Sequence, residues 1–242
     1  SFSDGGAYLD PKAAGAHGLE MVRAGAAIVD VGGESTRPGA TPVTPDEEWD
    51  RIGEVVAALV EAGVCVSVDT RHAEVAVRAL HAGASIVNDV SGFRDPAMRE
   101  AVRRCGCGCV VMHMKGEPAT MQDNPVYQDV VAEVRDSLRE AAAALEAAGI
   151  DRSRICVDPG PGFGKTPKQT IELMRNLHEI VHLGYPVMVA VSRKRFVGEA
   201  YHVEELHDRD VASAAEALLA CELGASVVRT HNVEMTAAAL KD

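Results

Sequence analysis

The sequence predicts a (β/α)8 TIM barrel, an α/β fold built as one domain over residues 1–242. Three observations carry that reading. Seven short apolar runs alternate with helical stretches, a glycine closes most helices just before the next run, and the segments after the runs are long where those before them are short. Strict alternation gives a parallel sheet with right-handed crossovers. Barrels of about 250 residues are common single domains, and their strand-to-helix loops gather at one rim.

The runs are 26–31, 64–69, 84–90, 107–112, 154–158, 185–191 and 225–229, most of them rich in Val and Ile. That composition suits strands buried on both faces. Segments 49–62, 126–148 and 210–223 carry apolar residues three and four apart and are expected as helices. Gly25, Gly63, Gly83, Gly149, Gly184 and Gly224 stand where a helix ends in a left-handed residue. Asp10-Pro11, Thr44-Pro45, Asp95-Pro96 and Thr166-Pro167 open helices with a capping side chain and a proline in the first turn. Glu47 completes a capping box with Thr44. Seven strands are one short of a barrel, and 1–25 reads as a loop and a helix, so strand 1 is expected upstream of Ser1. A doubly wound open sheet is the rival fold. The glycine-rich dinucleotide turn that usually follows its first strand is not seen.

A net charge of −12, from 24 basic and 36 acidic residues, argues against the broad basic face that nucleic acid needs. No apolar stretch approaches the roughly 18 residues of a membrane span. Of the six cysteines, Cys65, Cys109 and Cys156 fall in strand-like runs and Cys221 on a helical segment. They read as buried free thiols, and with no signal peptide visible the expected location is the cytoplasm. Cys105, Cys107 and Cys109 resemble part of a metal site, but no second Cys/His cluster at zinc spacing accompanies them.

Polar residues sit at the ends of the apolar runs: Asp30, Asp69, Asn88, His113, Asp158, then Ser192 to Arg195, then Arg229 and His231. Thr70 and Asn232 read as helix caps. Such groups are costly to bury unless paired or used, and seven strand ends converging on one rim point to a shared site. Asp69, Asn88 and Asp158 offer acceptors and one amide donor, a set suited to a planar heterocycle with an amino group and a ring N–H. Arg37, Lys194, Arg229 and His231 supply donors and positive charge, suited to a phosphate or pyrophosphate. The competing reading is that these acids and bases merely neutralise one another.

Gly160-Pro161-Gly162-Phe163-Gly164-Lys165-Thr166 looks like a nucleotide-binding P-loop, but the position that needs the loop's first glycine is Pro159. Its glycines instead suit a close approach of backbone to a flat ligand, with Phe163 as an apolar wall. A covalent hydrolase is disfavoured, because neither a nucleophile elbow nor H-E-x-x-H is present.

These motifs together resemble the dihydropteroate synthase family of pterin-binding barrels. The matching stretches are Ser1-Phe2-Ser3-Asp4-Gly5-Gly6, Asp30 to Gly39 with its Ser35-Thr36-Arg37-Pro38 core, Ser67-Val68-Asp69-Thr70, Asn88-Asp89-Val90-Ser91-Gly92, Met112-His113-Met114-Lys115-Gly116, Asp158 to Lys165, Ser192-Arg193-Lys194 and Arg229-Thr230-His231. They span the chain from Ser1 to about Asn232. The resemblance implies condensation of 6-hydroxymethyl-7,8-dihydropterin pyrophosphate with p-aminobenzoate, giving 7,8-dihydropteroate and pyrophosphate. It implies that Asp69, Asn88, Met112, Asp158, Lys194 and Arg229 hold the pterin, and that Thr36, Arg229, Thr230 and His231 reach the pyrophosphate. Phe2, Arg37, Pro38, Phe163, Lys194 and Arg195 would border the p-aminobenzoate site, where sulfonamides compete. A Mg2+ cofactor and a homodimer are implied as well.

Two departures stand out. The family's strand-1 Asn, a Mg2+ ligand, has no counterpart in this chain, so no metal ligand is named. Arg195 stands where the family often has Ser, and an effect on affinity is expected. The C-terminal helix over 233–241 looks short, and trimming at both ends is expected. Loops 1–7 and 32–44 would close over a cationic intermediate and exclude water. Two alternatives are a methyltetrahydrofolate-binding barrel of a corrinoid methyltransferase and a non-catalytic pterin-binding paralogue. The Ser-Thr-Arg-Pro-Gly loop and the Ser-Arg-Lys rim favour the synthase over a methyl carrier.

Overall fold

A computed structural model describes residues 10–36, 40–118 and 120–241. Phe2, Arg37 and Pro38, expected around the p-aminobenzoate site, lie outside the described residues. The elements run α1 Pro11–Arg23, β1 Val29–Gly32, α2 Pro45–Glu61, β2 Val66–Asp69, α3 Ala73–His81, β3 Ile86–Asp89, α4 Pro96–Cys105, β4 Gly108–Met112 and α5 Val130–Ala147. They continue β5 Ile155–Asp158, α6 Pro167–Arg175, α7 Leu177–Val181, β6 Met188–Val189, α8 Arg195–Tyr201, α9 Arg209–Glu222, β7 Val227–Val228 and α10 Val233–Ala239.

Strands β1 to β5 pair in parallel in chain order, with Val29 beside Val66, Ser67 beside Ile86, Val87 beside Cys109 and Val110 beside Cys156. A parallel bridge between Val157 and Val187 carries the order on to β6, which pairs with β7. The sheet curls: Arg229, just past β7, bonds to Asp30 of β1 and Asp69 of β2. Helices cover the outside, and the fold is a TIM barrel. Its main core lies between sheet and helices, where Leu59, Leu138, Leu145, Ile155, Leu173 and Ile180 are almost fully buried. Each such side chain stabilises the fold by about 1.5–3 kcal/mol. A second, smaller cluster of Val90, Met112, Met114 and Met121, with Phe163 against it, sits under the C-terminal rim.

The capping residues act as their types require. Asp10, Thr44, Asp95 and Thr166 each accept a backbone N–H in the first turn, and both Thr44 and Thr166 complete capping boxes. The six glycines all have positive φ. They also explain why the strands start later than the apolar runs. Ala26, Val64, Ala84 and Ala225, each just after a glycine, donate back to Met21, Leu59, Ala79 and Ala220. The first residue of those runs therefore closes a Schellman motif and joins no ladder. Helix α5 begins at Val130 instead of 126, because Asp129 caps it by accepting from the Ala132 N–H. Segment 192–209, expected as loop, contains α8. Asn232 caps α10, whereas Thr70 turns its hydroxyl to Glu48 and accepts from His72 N–H, so α3 starts without a side-chain cap.

All six cysteines are free, but only Cys107 and Cys109 are buried, and Cys105 is exposed at the end of α4. No described helix is long and apolar enough to cross a membrane.

Candidate active site

The rim residues do converge, in two groups. In the first, the Arg229 guanidinium donates from Nε to Asp30 Oδ2 at 2.7 Å and from Nη2 to Asp69 Oδ2 at 3.1 Å. Asn88 Nδ2 donates to the same Asp30 oxygen at 3.3 Å. Mutual neutralisation thus describes this trio in part. Burial, and then the charge of Asp30, push the Asp69 carboxyl up to about 7 against the pull of Arg229. The two carboxylates hold Arg229, a half-buried side chain, still more firmly protonated against its partial loss of solvent. The pairing leaves acceptors over: Asp30 Oδ1 and Asn88 Oδ1 are buried with no hydrogen-bond partner among the described residues. An unmet buried acceptor costs about 1–3 kcal/mol, which a ligand N–H removes.

In the second group, Asp158 ends β5 only 2% exposed. Its Oδ1 accepts from Gly160 N–H at 2.7 Å, and its other oxygen has no hydrogen-bond partner among the described residues. Burial raises the Asp158 carboxyl, while Lys194 and the Gly160 hydrogen bond oppose that rise. Lys194 donates to Pro161 O at 2.6 Å and stands 4.7 Å from the centre of the Phe163 ring. Its ammonium is brought down to about 8 by burial, with Arg229 adding to the fall and Asp158 resisting it. Met112, the last residue of β4, adds an apolar floor.

The remaining predicted residues lie on the loops after β1, β6 and β7. His231 Nδ1 lies 2.9 Å from Ser192 Oγ, which also accepts from the His231 backbone N–H at 3.2 Å. Thr36, half-buried, lies on the loop after β1. Thr230 turns its hydroxyl to Thr236 of α10 at 2.9 Å, away from an anion role. Arg195 opens α8 with its side chain 81% exposed and paired to Glu199 one helical turn on, so its charge stands in solvent.

Several residues to which the sequence assigned no ligand role support these groups. Arg193 has φ of 59°, a left-handed conformation that a non-glycine residue rarely adopts. It is held there by a forked ion pair to Asp210 at 2.7 and 2.9 Å and by its own N–H on Ser213 Oγ. This clamp sets the direction in which Lys194 leaves the chain. Glu34, at the start of the loop carrying Thr36, takes a forked pair from Arg71 at 2.7 and 2.9 Å and accepts from Val43 N–H. No local pattern announces either pair. Lys165, the lysine of the P-loop-like stretch, is 2% exposed and bonds inward to Gly160 O, Phe163 O and His113 Nδ1. An ammonium so engaged is not free to reach a phosphate. His113 likewise turns to Lys165, out of the ligand space.

Comparison with known proteins decides the family. The family described as pterin binding enzyme matches residues 1–231. Dihydropteroate synthase of Mycobacterium leprae (strain TN) is 47% identical over 248 residues, spanning 100% of this chain and 87% of that protein. That of Escherichia coli (strain K12) is 40% identical over 242 residues, spanning 100% and 86%. The Yersinia pestis dihydropteroate synthase structure with a sulfonamide drug complex superimposes with a TM-score of 0.95 at 38% identity, covering 100% of this chain and 87% of that one. The Xanthomonas albilineans enzyme in complex with 7,8-dihydropteroate gives 0.88 at 39% identity, covering 99% and 86%. The chain belongs to the dihydropteroate synthase family. It is accordingly a transferase of folate biosynthesis that condenses 6-hydroxymethyl-7,8-dihydropterin pyrophosphate with p-aminobenzoate. The methyl-carrier and non-catalytic readings give way to that of a dihydropteroate synthase, whose rim carries both the acceptor set and the cations.

Proposed function

We propose that the rim divides the reaction between its acceptor side and its cationic side. What carries this reading is the placement of open acceptors on Asp158, Asn88 and Asp30 beside the cations Lys194 and Arg229. Asp158 takes two adjacent N–H groups of the pterin on its carboxylate, as a planar acceptor pair matches a planar donor pair. Asn88 and Asp69 meet the remaining edge, Met112 lies under the ring, and Lys194 and Arg229 border it. At the other end Thr36, His231 and the Nη1 of Arg229, which has no hydrogen-bond partner among the described residues, are assigned to the pyrophosphate, while Thr230, bonded to Thr236, is not. Phe163 and Lys194 border p-aminobenzoate, and Arg195 stands at the solvent edge of that side; Phe2, Arg37 and Pro38, expected there too, lie outside the described residues.

The C–O bond to the pterin methylene breaks with its electron pair leaving on the pyrophosphate. The amine lone pair then forms the C–N bond and the nitrogen gives up one proton. Positive charge grows at the methylene and negative charge on the leaving oxygen, so carboxylates on one side and cations on the other stabilise the transition state more than the ground state.

Among the described residues no group of three or more His, Cys, Asp and Glu side chains is placed to hold a metal ion. The corner that faces the anion is made of cations and hydroxyls. Mg2+ would therefore enter with the pyrophosphate substrate, since no side chain among the described residues is placed to hold it. When bound, it neutralises charge on the leaving group. The test is formation of dihydropteroate from the two substrates with and without Mg2+, and its block by a sulfonamide. Binding of the pterin pyrophosphate with no product formed would overturn the assignment.

A pH limb follows from Lys194. Below about 8 its ammonium is charged, and above it the charge is lost. Affinity for the pterin pyrophosphate is expected to fall as pH rises through 8, measured by calorimetry between pH 7 and 9.5. A flat profile would remove the Lys194 charge from the binding step.

The expected homodimer has a face to use. Val211, Leu218 and Leu219 are exposed on one side of α9. Leu218→Glu is expected to shift the mass measured by light scattering from dimer to monomer. A monomeric parent protein would overturn the pairing. The cytoplasm, which keeps thiols reduced, is the location that fits six free cysteines.

A further inference from the structure

Five successive carbonyl oxygens after β5, from Gly160 to Gly164, each accept a hydrogen bond from a side chain. Lys165 Nζ reaches Gly160 O at 2.9 Å and Phe163 O at 3.0 Å. Lys194 Nζ takes Pro161 O at 2.6 Å, Gln122 Nε2 takes Gly162 O at 2.6 Å, and Tyr127 OH takes Gly164 O at 2.8 Å. The loop needs such support. Gly160, Gly162 and Gly164 all have positive φ, at 61°, 79° and 60°, so the chain reverses its twist at alternate residues. A Cβ at Gly160 would collide with His113 O, and one at Gly164 with Lys115 O, so the loop lies flat against the exit of β4.

Lys165 is the centre of this arrangement. It is 2% exposed, and its amine lies close to three acceptors, the third being His113 Nδ1 at 2.9 Å, with His113 O at 3.5 Å beside them. Burial pushes its pKa well below the ordinary lysine value, and Asp158 opposes that fall. For His113 to accept there, its proton must sit on Nε2 and the ring must be neutral. Burial and the adjacent Lys165 charge press it that way, bringing its pKa to about 2. The acceptor therefore persists throughout the working pH range. One buried lysine thus ties the two ends of the Gly160-to-Phe163 turn to each other and to the end of β4. The Phe163 ring projects from that turn against Met112 and Met114 and below Lys194.

We propose that Lys165, with His113 as its fixed acceptor, is a positioning residue for the arylamine substrate, setting the Phe163 wall without touching the ligand. The proposal rests on the reading that Phe163 borders the p-aminobenzoate site. It assigns to the lysine of a P-loop-like sequence a role opposite to phosphate binding, since its hydrogen bonds hold carbonyl groups in place.

Lys165→Met is expected to raise KM for p-aminobenzoate about tenfold, the effect of losing hydrogen bonds to a charged group. KM for the pterin pyrophosphate should change by less than about twofold, because Asp158 keeps its bond to Gly160 N–H. Thermal denaturation of each variant, run in parallel, sets the assay temperature well below unfolding. Gln122→Ala and Tyr127→Phe each release one loop carbonyl from the surface side, where folding is not at stake. They are expected to raise the same KM by about two- to threefold. Phe163→Ala tests the reading beneath the proposal. If Phe163→Ala raises the arylamine KM while the Lys165, Gln122 and Tyr127 variants leave it unchanged, the positioning role is overturned and the Phe163 reading stands. If Phe163→Ala itself leaves that KM unchanged, both are overturned. A rise of both substrates' KM in equal proportion in Lys165→Met would mark general loosening and also overturn the proposal. Should Lys165→Met not fold, an unchanged arylamine KM in both Gln122→Ala and Tyr127→Phe decides against it.

Discussion

Asp158→Asn is expected to weaken binding of the pterin pyrophosphate by about a thousandfold, corresponding to roughly 4 kcal/mol, as when one partner of a buried charged pair is removed. The amide keeps the acceptor that serves Gly160 N–H but turns an N–H toward the donors of the pterin, so two matched hydrogen bonds become one match and one clash. Lys194 also loses the carboxylate that sustains its charge, and its pKa falls further below 8. Stability should move the other way. Burial raises the Asp158 carboxyl, which means that its ionised form is held at a cost in the absence of ligand. The variant is expected to melt at the same temperature as the parent or higher. Calorimetric binding and thermal denaturation on the same preparation check both halves. A lower Tm together with retained binding would make Asp158 a structural residue.

Arg229→Met is expected to lose both stability and turnover. The substitution leaves Asp30 and Asp69 near each other on neighbouring strands with no cation between them. Breaking a buried pair costs about 3–5 kcal/mol, but Arg229 is 37% exposed, and solvent screening brings the expected cost to about 2 kcal/mol. For a chain of this size that is roughly 5 °C in Tm. The pH dependence identifies the cause. Asp69 already has a folded-state pKa near 7, above its ordinary value, so the folded protein binds more protons than the unfolded one between about 4 and 7. The strain is therefore fully present above pH 7 and relieved as pH falls below it. With Arg229 gone, the Asp69 pKa rises further. The gap in Tm between parent and variant should be wide at pH 8 and narrow at pH 5.5. Equal gaps at both would show that repulsion between the carboxylates is not the reason. Turnover should fall at every pH, because the pyrophosphate loses its central cation.

The parallel barrel, most of the helix caps (Thr70 being an exception) and the gathering of polar residues at the strand ends were legible in the sequence. Each is a local matter. A proline after Thr44 or Thr166, a glycine before a Val-rich run and an acid at its end need no knowledge of what lies across the barrel. Strand boundaries were less legible because the residue after a glycine, such as Val64, can serve either the helix cap or the strand. Its hydrogen bond to Leu59 O settles the matter.

What only the tertiary structure decided is which partners meet across the chain. Arg229 and Asp30 are 199 residues apart in sequence and 2.7 Å apart in space, brought together by the curl of the sheet. Lys165 turns inward and Arg195 outward, although both are basic residues beside the same site, because the loop after β5 presents a buried set of carbonyls and α8 presents Glu199 to solvent. Thr230 finds Thr236 in place of an anion for the same reason. Sequence by itself determined that a parallel barrel would gather acids, amides and cations at one rim, since periodicity, capping and burial cost act over a few residues. The direction of each side chain within that rim depends on the competing partners that the closed sheet brings within hydrogen-bond reach, and the folded chain alone supplies them.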